Sequence, residues 1–400
     1  MRAMKDSGVE WIGEIPQEWE TIRAKYVVVI TNGADPKTEG DTPVYGSGTG
    51  CFKTCGESKE GPAVLLGRKG SVDNPQFIEG KYWNVDTAFD VKTIGNKINL
   101  YYFYLLSQCF DYKYYTATTT LPSMTQTNYG NMYLPFPSLV KQKQIIAYLD
   151  AKCAEIDALI AAKEKTNALL KERRQSIIYE AVTKGLDPTA PMKDSGVEWI
   201  GEIPEGWSVC RIKRVAEIVT GNTPSKASGD LNYSDDGLMW VKPDNLLGNV
   251  PVKDTSEHLS DDGCMLAKVV PANTPLTCCI GTIGKVGYSE KAVAFNQQIN
   301  AICFEESVDT RFGLYCLMAQ DEQQKCFANG NVLKILNAEA QGRLFIAIPS
   351  LSEQRIIAEH LDMQCQMIDE NCAANNVTIQ KLKEYRQSLI YEAVTGKVEI

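Results

Sequence analysis

Two long stretches of the chain carry apolar residues at helical spacing, with no proline or glycine to interrupt them. In the first, apolar residues recur at intervals of four, four, three and four: Ile145, Leu149, Cys153, Ile156 and Ile160. After a polar break at Lys163 and Asn167, the pattern resumes at Leu170 and stops before Gly185. This period is that of one face of an α-helix. The spacing predicts a long helix over residues 141–185.

The second stretch repeats the same register 212 positions later, at Leu361, Cys365, Ile368, Cys372, Leu382 and Leu389. It predicts a helix within 352–400. Each helix has roughly 40 residues and a length of roughly 60 Å. An amphipathic helix of that length needs a partner for its apolar stripe, and the two stripes share one register. We therefore expect the two helices to pack antiparallel as a coiled coil; the alternative is that each packs only on its own domain.

Two further segments are duplicated. Met4–Pro16 and Met192–Pro204 both read MKDSGVEWIGEIP, and Leu170–Thr183 matches Leu382–Thr395 at twelve of fourteen positions. The stretches between these repeats are almost unrelated. The chain is thus a tandem duplication of one unit, with an internal pseudo-two-fold symmetry. A constant frame with variable inserts is typical of a protein that holds two different recognition surfaces in one geometry.

The variable inserts, 17–140 and 205–351, alternate short β-rich runs with Gly, Asn and Pro turns. The clearest runs are Ala63–Leu66, Phe89–Thr93, Met239–Val241 and Asn300–Phe304. The predicted fold class is α+β, with two mixed domains joined by two long antiparallel helices. The predicted divisions are a first recognition domain 1–140, a central helix 141–185, a linker with the second recognition domain 186–351, and a distal helix 352–400.

The composition restricts the class of protein but does not identify it. The chain has 400 residues, a net charge of −9 and 44% hydrophobic residues, which is ordinary for a globular protein. No apolar run reaches the roughly 20 residues needed to span a bilayer, and the N-terminus lacks the apolar core of a secretory signal. The thirteen cysteines are irregularly spaced, and only His258 and His360 accompany them. We expect a cytoplasmic protein with reduced thiols and no metal site.

The net charge argues against an extended DNA-wrapping surface, but charge is unevenly distributed. Residues 141–185 carry nine basic and six acidic side chains, whereas 352–400 carry five and eight. The first predicted helix is therefore basic and the second acidic, which favours their pairing. Any contact with DNA would depend on local patches and on partner proteins.

One pair of motifs suggests methyl transfer. Gly46–Phe52 looks like a glycine loop for S-adenosylmethionine, and Asp73–Phe77 looks like an adenine-methyltransferase motif. Only 28 positions separate Gly46 from Asn74, whereas a nucleotide-binding βαβ unit alone takes about 30 residues. Neither histidine lies in a nucleophile motif. We therefore expect no catalytic residue in this chain.

Both inserts contain a similar pair of segments, and the side chains of these segments are suited to binding nucleic acid. Gly67–Val72 is followed by Trp83–Ala88, and Gly281–Val286 is followed by Phe295–Ala301. Glycine-spaced loops can approach a phosphate backbone, and Arg, Lys, Asn, Gln and carboxylate side chains can recognise base edges. The candidate DNA-binding residues are Arg68, Lys69, Ser71, Asn84, Asp86, Thr282, Lys285, Asn296, Gln297 and Gln298. The alternative is a pair of β-hairpins in which the glycines form turns and the Asn side chains cap them.

A third pair of segments, Thr118–Leu121 and Gly330–Leu333, aligns at the same shift of 212. It offers hydroxyl and amide groups in a loop, so Thr118, Thr119 and Asn331 join the candidates on the same terms.

The order of these elements resembles the specificity subunit of type I restriction–modification systems. The resemblance rests on Trp11–Trp19 and Trp199–Trp207 (WIGEIPxxW), on Pro137–Asp150 and Pro349–Asp362, and on the two repeated helix ends. It covers nearly the whole chain. The first copy departs from the pattern at Val140–Gln144, which affects only the start of the helix.

The resemblance implies a non-catalytic subunit whose two target-recognition domains each bind one half of a split double-stranded DNA site. It implies that the helices set the spacing of the half-sites and dock two modification subunits. Those partners would bind S-adenosylmethionine and methylate adenine, and restriction subunits using ATP and Mg²⁺ would join for cleavage. Two alternatives stay open at this point: a stand-alone adenine-N6 DNA methyltransferase, and a coiled-coil scaffold without nucleic-acid binding.

Overall fold

The computed structural model describes residues 2–116, 122–227, 231–330 and 334–400. The chain forms two compact units, the first made of residues 1–164 and 376–400 and the second of residues 165–375. The predicted divisions followed the ends of the two long helices. The boundaries between the units instead fall inside these helices. The physical reason is that each helix half packs on the core of one unit.

The first unit contains twelve strands among its described residues: β1 (Met4–Asp6), β2 (Glu14–Pro16), β3 (Glu20–Arg23), β4 (Val28–Asn32), β5 (Thr42–Tyr45), β6 (Cys51–Cys55), β7 (Lys59–Glu60), β8 (Ala63–Gly67), β9 (Gln76–Ile78), β10 (Lys81–Asn84), β11 (Ala88–Thr93) and β12 (Tyr133–Phe136). Its helices are α1 (Leu100–Ser107), α2 (Tyr112–Tyr115), α3 (Gln126–Asn131) and the start of α4 (Leu139–Lys184).

The second unit follows a similar order over its described residues, with an additional strand (β17, Tyr233–Ser234) and an additional helix (α5, Asp261–Leu266). Its strands are β13 (Met192–Asp194), β14 (Glu202–Pro204), β15 (Ser208–Arg211), β16 (Ala216–Thr220), β17 (Tyr233–Ser234), β18 (Leu238–Val241), β19 (His258–Leu259), β20 (Val269–Val270), β21 (Leu276–Cys278), β22 (Val286–Gly287), β23 (Val293–Phe295), β24 (Ile299–Phe304) and β25 (Phe345–Ile348). Its helices are α5 (Asp261–Leu266), α6 (Thr310–Ala319), α7 (Asp321–Phe327), α8 (Ala338–Gly342) and the start of α9 (Leu351–Val394).

The two units share a sheet topology although their inserts diverge in sequence. The main sheet has the order β4-β11-β8-β9 in the first unit and β16-β24-β21-β22 in the second, antiparallel throughout. A second sheet in each unit contains one parallel pair, β5 with β10 and β18 with β23. The predicted α+β class is confirmed.

The central strands of the main sheets are short but almost completely buried. All five residues of β8 are buried, and so are the first four of β11 and of β24. These central strands are covered on both faces, so their buried residues are consecutive where those of an exposed strand would alternate; most are apolar, and Asp90 and Asn300 are the buried polar exceptions. In the described ranges, no helix is long and apolar enough to cross a membrane.

The two long helices pack antiparallel within the first unit. The predicted stripe from Ile145 to Ile160 is buried, in one cluster with Ile379, Leu389 and Ile390 of α9. The N-terminal part of α4 therefore meets the C-terminal part of α9. An ion pair joins Asp157 Oδ1 to Arg386 Nε at 3.0 Å.

The second unit shows the reciprocal arrangement. Ile178 and Val182 of α4 share a cluster with Ile357, Leu361 and Cys365 of α9. The guanidinium of Arg174 donates to Asp369 Oδ1 at 2.8 Å and to Oδ2 at 3.3 Å. This pair is equivalent to Asp157–Arg386 at the shift of 212. The predicted antiparallel pairing is confirmed, and its ion pairs follow the internal symmetry rather than the opposite net charges of the two helices.

The identical thirteen-residue repeats form hairpins that pack on helix ends. The β1–β2 hairpin buries Ile12 and Ile15, and the Tyr391 hydroxyl of α9 donates to the Ile12 carbonyl at 3.2 Å. In the second unit, the Tyr179 hydroxyl of α4 donates to the Ile200 carbonyl at 3.3 Å. The two kinds of repeat therefore contact each other inside each unit.

A buried glutamine anchors the start of each long helix to its domain. Gln142 is fully buried; its amide donates to the Pro137 carbonyl at 3.0 Å and accepts from the Asn99 amide at 2.8 Å. Gln354 donates to the Pro349 carbonyl at 3.0 Å and accepts from the Asp309 amide at 2.7 Å. Each glutamine therefore satisfies backbone groups that would otherwise be buried without partners.

We predict that Gln142→Ala lowers the free energy of unfolding by about 1–3 kcal/mol, because it leaves a buried amide and a buried carbonyl without partners. Gln144→Ala, two residues along the same helix and exposed, is the matched control and should change stability by less than about 0.5 kcal/mol. Thermal unfolding of the whole chain measures both. Equal midpoints for the two variants would contradict the anchoring role.

Candidate nucleic-acid interface

Three segments of the first unit meet at one end of its main sheet. Gly67, the last residue of β8, is opposite Ala88, the first residue of β11. The loops that follow β8 and precede β11 are therefore neighbours, and the Arg68 amide donates to the Thr87 carbonyl at 2.8 Å. The Met124 amide donates to the Arg68 carbonyl at 2.9 Å and so adds a third segment. We call residues 67–72, 84–88 and 122–124 the first loop cluster.

The second unit brings the equivalent segments together. The Cys279 amide, just after β21, donates to the Gln298 carbonyl at 2.7 Å, and the Leu336 amide donates to the Cys279 carbonyl at 2.8 Å. Residues 279–285, 296–298 and 334–336 form the second loop cluster. Burial raises the pKa of the Cys279 thiol to about 12, so this cysteine stays a neutral thiol at physiological pH.

Four of the five predicted residues near the first loop cluster have access to its surface. Lys69 and Ser71 are exposed, and Arg68 and Asp86 are half-buried. The Arg68 guanidinium donates to the Asp86 backbone carbonyl at 3.3 Å, which holds the two residues together. Gly70 has a φ of +80°, a backbone conformation that favours glycine. The cluster therefore presents two cations, a hydroxyl and a carboxylate on a shaped loop.

Asn84 differs from the prediction. It is fully buried; its amide nitrogen donates to the Ala88 carbonyl at 2.8 Å and its oxygen accepts from Lys59 Nζ at 2.7 Å. Both ends of the amide are occupied, so Asn84 shapes the loop and presents no polar atom to a ligand. For Asn84, the structure agrees with the alternative interpretation, in which the Asn side chain caps a turn.

In the second loop cluster, Thr282 and Gln297 are exposed, and Lys285 and Gln298 are half-buried. Gln297 Oε1 accepts from the Thr223 hydroxyl. Asn296 is buried; its side-chain oxygen accepts from the Gln298 amide at 3.1 Å and its nitrogen donates to Gln298 Oε1 at 3.0 Å. Asn296 is thus a turn-forming residue, like Asn84 in the first unit.

Three predicted residues, Thr118, Thr119 and Asn331, lie outside the described residues. Described residues that follow them in the chain contact the loop clusters: Ser123 forms a β-bridge with Lys69, and Ile335 forms one with Ile280.

The sequence pattern missed a half-buried cation, Lys59, behind the first loop cluster. Lys59 Nζ is 3.0 Å from Asp90 Oδ2, and the Asp90 side chain is only 2% exposed. The same ammonium lies 5.4 Å from the ring centre of Trp83. The hydrogen-bond partners of Lys59, Asn84 and Asp90, are 25 and 31 positions away in sequence, so no local pattern could connect them.

The second unit has a related group of lysines and aromatic rings. Lys226 and Lys242 bind Glu257 at 2.8 and 3.0 Å, and both ammonium groups lie within 5.5 Å of the Trp240 ring centre. The hydrogen bond from Lys226 is the largest effect that lowers the pKa of Glu257. Two ammonium groups share one carboxylate, so this group of three side chains carries one net positive charge.

The two methyltransferase-like motifs do not form a nucleotide cradle. The segment from Gly46 to Gly50 connects β5 directly to β6, and Gln76 Nε2 donates to the Gly46 carbonyl at 2.8 Å. A glycine loop between two antiparallel strands lacks the strand–loop–helix arrangement of nucleotide-binding loops. In the described part of the chain, no group of three or more His, Cys, Asp or Glu residues could hold a metal ion.

Comparison with known proteins gives consistent results. The sequence profile of the type I restriction modification DNA specificity domain matches residues 16–171 and 204–381. The type I restriction enzyme MjaVIII specificity subunit of Methanocaldococcus jannaschii is 25% identical, over 76% of this chain and 72% of its own.

Two solved structures share the fold. A structure of a type I R-M system, described for its complex assembly and conformational transition, has a TM-score of 0.73 at 17% identity and covers 96% of this chain and 99% of its own. The HsdS subunit from Thermoanaerobacter tengcongensis has a TM-score of 0.51 at 16% identity and covers 96% and 98%. At these identities the likeness concerns the fold.

We predict that Lys59→Met destabilises the first unit by roughly 2–4 kcal/mol, because the Asp90 carboxylate stays buried without its cation. The exposed Lys53→Met, on β6, is the control and should leave stability nearly unchanged. Calorimetric unfolding of the two variants measures the difference. A Lys59→Met transition as high as that of Lys53→Met would show that Asp90 is not held by Lys59.

Proposed function

The chain belongs to the family of type I restriction modification DNA specificity domains, and from this membership we propose that each of its two units binds one half of a bipartite double-stranded DNA site. As a specificity subunit, the chain is the component of a type I restriction–modification system that recognises DNA sequence. One observation carries the bipartite proposal: the same end of the same sheet bears, in both units, a cluster of loops whose sequences diverge. A shared topology with divergent loops suits two different half-sites.

The residues proposed to contact DNA are those that reach the surface of the loop clusters. Arg and Lys suit guanine edges and phosphates, Gln suits adenine, a carboxylate can accept from cytosine, and hydroxyls suit either. The proposed set is Arg68, Lys69, Ser71, Asp86, Thr282, Lys285, Gln297 and Gln298, with Thr118, Thr119 and Asn331 kept on sequence grounds. Asn84 and Asn296 are proposed to support the loops from within.

The partners proposed are double-stranded DNA, two modification (methyltransferase) subunits and the restriction subunits. The chain itself is proposed to be non-catalytic and to bind no cofactor, with S-adenosylmethionine, ATP and Mg²⁺ bound by those subunits. Its place of action is proposed to be the cytoplasm, away from membranes. The net charge of −9 suits such an assembly, because partner subunits can supply much of the phosphate contact.

We predict that Arg68→Ala lowers the affinity of the assembled complex for its target duplex by about tenfold, as expected for a residue that contacts a base or phosphate. Lys97→Ala is the matched control, since Lys97 is exposed in the same unit and lies beyond the opposite end of β11. Fluorescence anisotropy at physiological salt measures both affinities.

Repeating the affinity measurement over a series of salt concentrations shows which part of the DNA Arg68 contacts. If Arg68 contacts a phosphate, the slope of log affinity against log salt should fall by about one; if it contacts a base, affinity should fall with little change of slope. Unchanged affinity in Arg68→Ala, with complex assembly intact, would remove this residue from the DNA interface.

A further inference from the structure

A groove beside the thirteen-residue repeat occurs in both units. In the first unit it is a cavity of about 300 Å³ lined by Val9, Glu10 and Trp11 of the β1–β2 hairpin, together with Tyr115 and Tyr133. We call it the first Trp groove. It lies on the constant hairpin and not on the divergent loop cluster.

The second Trp groove has a volume of about 540 Å³ and equivalent walls. Val197, Glu198 and Trp199 come from the second repeat, and Phe327 and Phe345 come from α7 and β25. Phe327 and Phe345 correspond to Tyr115 and Tyr133 at the shift of 212. The same three elements therefore build the groove in each unit.

The aromatic walls persist where the surrounding sequence does not. Residues 111–114 read Asp-Tyr-Lys-Tyr, whereas 323–326 read Gln-Gln-Lys-Cys. Identity of the repeat alone would not single out the groove, because exposed positions outside it, such as Glu14 and Glu202, are also identical. An aromatic residue kept inside a diverged segment is the stronger sign of a common ligand.

Both grooves hold their aromatic wall in the same way. Arg23 of β3 stacks over the Tyr133 ring at 5.1 Å, and Arg211 of β15 stacks over the Phe345 ring at 5.3 Å. In the first unit, Trp11 is further fixed by an edge contact with Phe110 at 5.8 Å between ring centres. Rigid rings that are partly open to solvent can bind an apolar side chain at low entropic cost.

Charge narrows the class of ligand. Glu10 and Glu198 are exposed at the rim, and each is the charged lining residue that both grooves have in common. Asp111 adds a second carboxylate to the first groove. Carboxylates at the rim disfavour a DNA phosphate and favour a Lys or Arg side chain. A ligand with an apolar anchor beside a cation is a polypeptide segment.

We infer that each Trp groove docks one copy of the modification subunit, through a segment that places an apolar or aromatic side chain between Trp and Tyr or Phe and a basic side chain against the glutamate. Two equivalent grooves, one in each recognition unit, require one ligand present in two copies. The inference rests on the proposed function, which includes two modification subunits.

The test uses charge reversal at exposed rim positions of the full chain, Glu10→Arg and Glu198→Arg, singly and together. Native mass spectrometry of the chain with the modification subunit of the same system gives the number of copies bound, and titration gives the affinities. The matched control is Glu14→Arg with Glu202→Arg, the same charge change in the same hairpins outside the grooves. Each single reversal is expected to weaken one of the two binding events by roughly tenfold or more; the double reversal should weaken both, and the control neither.

The outcomes separate this inference from the proposed function. If the wild-type chain binds two modification subunits and the double reversal binds them with unchanged affinity, the grooves are not the docking sites and the proposed function stands. If a single reversal releases both copies, the assignment of one groove to one modification subunit is overturned. If the wild-type chain binds no modification subunit at all, the proposed function itself fails.

Discussion

Two ion pairs at equivalent positions, Asp157–Arg386 and Arg174–Asp369, fix the register of α4 against α9. Each pair is partly exposed, so each contributes at most about 1 kcal/mol. Burial of one Ile or Leu side chain of the stripe contributes about 1.5–3 kcal/mol. The stripe therefore supplies most of the stability of the helix pair. The ion pairs supply specificity, because a shift of one helical turn would break both of them together while still leaving apolar surfaces in contact.

This register determines what else in each unit can vary. The strand that precedes each long helix pairs with the strand that follows each repeat, β12 with β3 and β25 with β15. Gln142 and Gln354 attach the helix starts, and Tyr391 and Tyr179 attach the hairpins. All of these contacts use the constant segments. The loops at the end of the main sheet take part in none of them, so their sequences can diverge without disturbing the frame.

The frame was predictable from sequence because its signals are local. The period of Ile145 to Ile160 required a buried stripe, and the shift of 212 placed its counterpart; α4 begins at Leu139 and α9 at Leu351, within two residues of prediction. The site was harder to predict from the sequence. Asn84 and Asp86 have similar polarity in sequence, yet Asn84 is fully buried and its oxygen accepts a hydrogen bond from Lys59, 25 positions earlier. Such a distinction depends on contacts between distant segments, which no local pattern contains.

The central proposal is that the two units recognise two different half-sites of one DNA site, and that the length of α4 and α9 sets the spacer between the half-sites. Methylation-pattern sequencing of cells that carry this chain with its modification subunit measures that spacing directly. A variant with one heptad inserted after Glu164 and another after Asn375, where the chain passes between units, lengthens the helices by roughly 10 Å. The account predicts that wild type and variant methylate adenine in the same two unlike half-sites, with the spacer about three base pairs longer in the variant. An unchanged spacer, or a single continuous motif in the wild type, would contradict it.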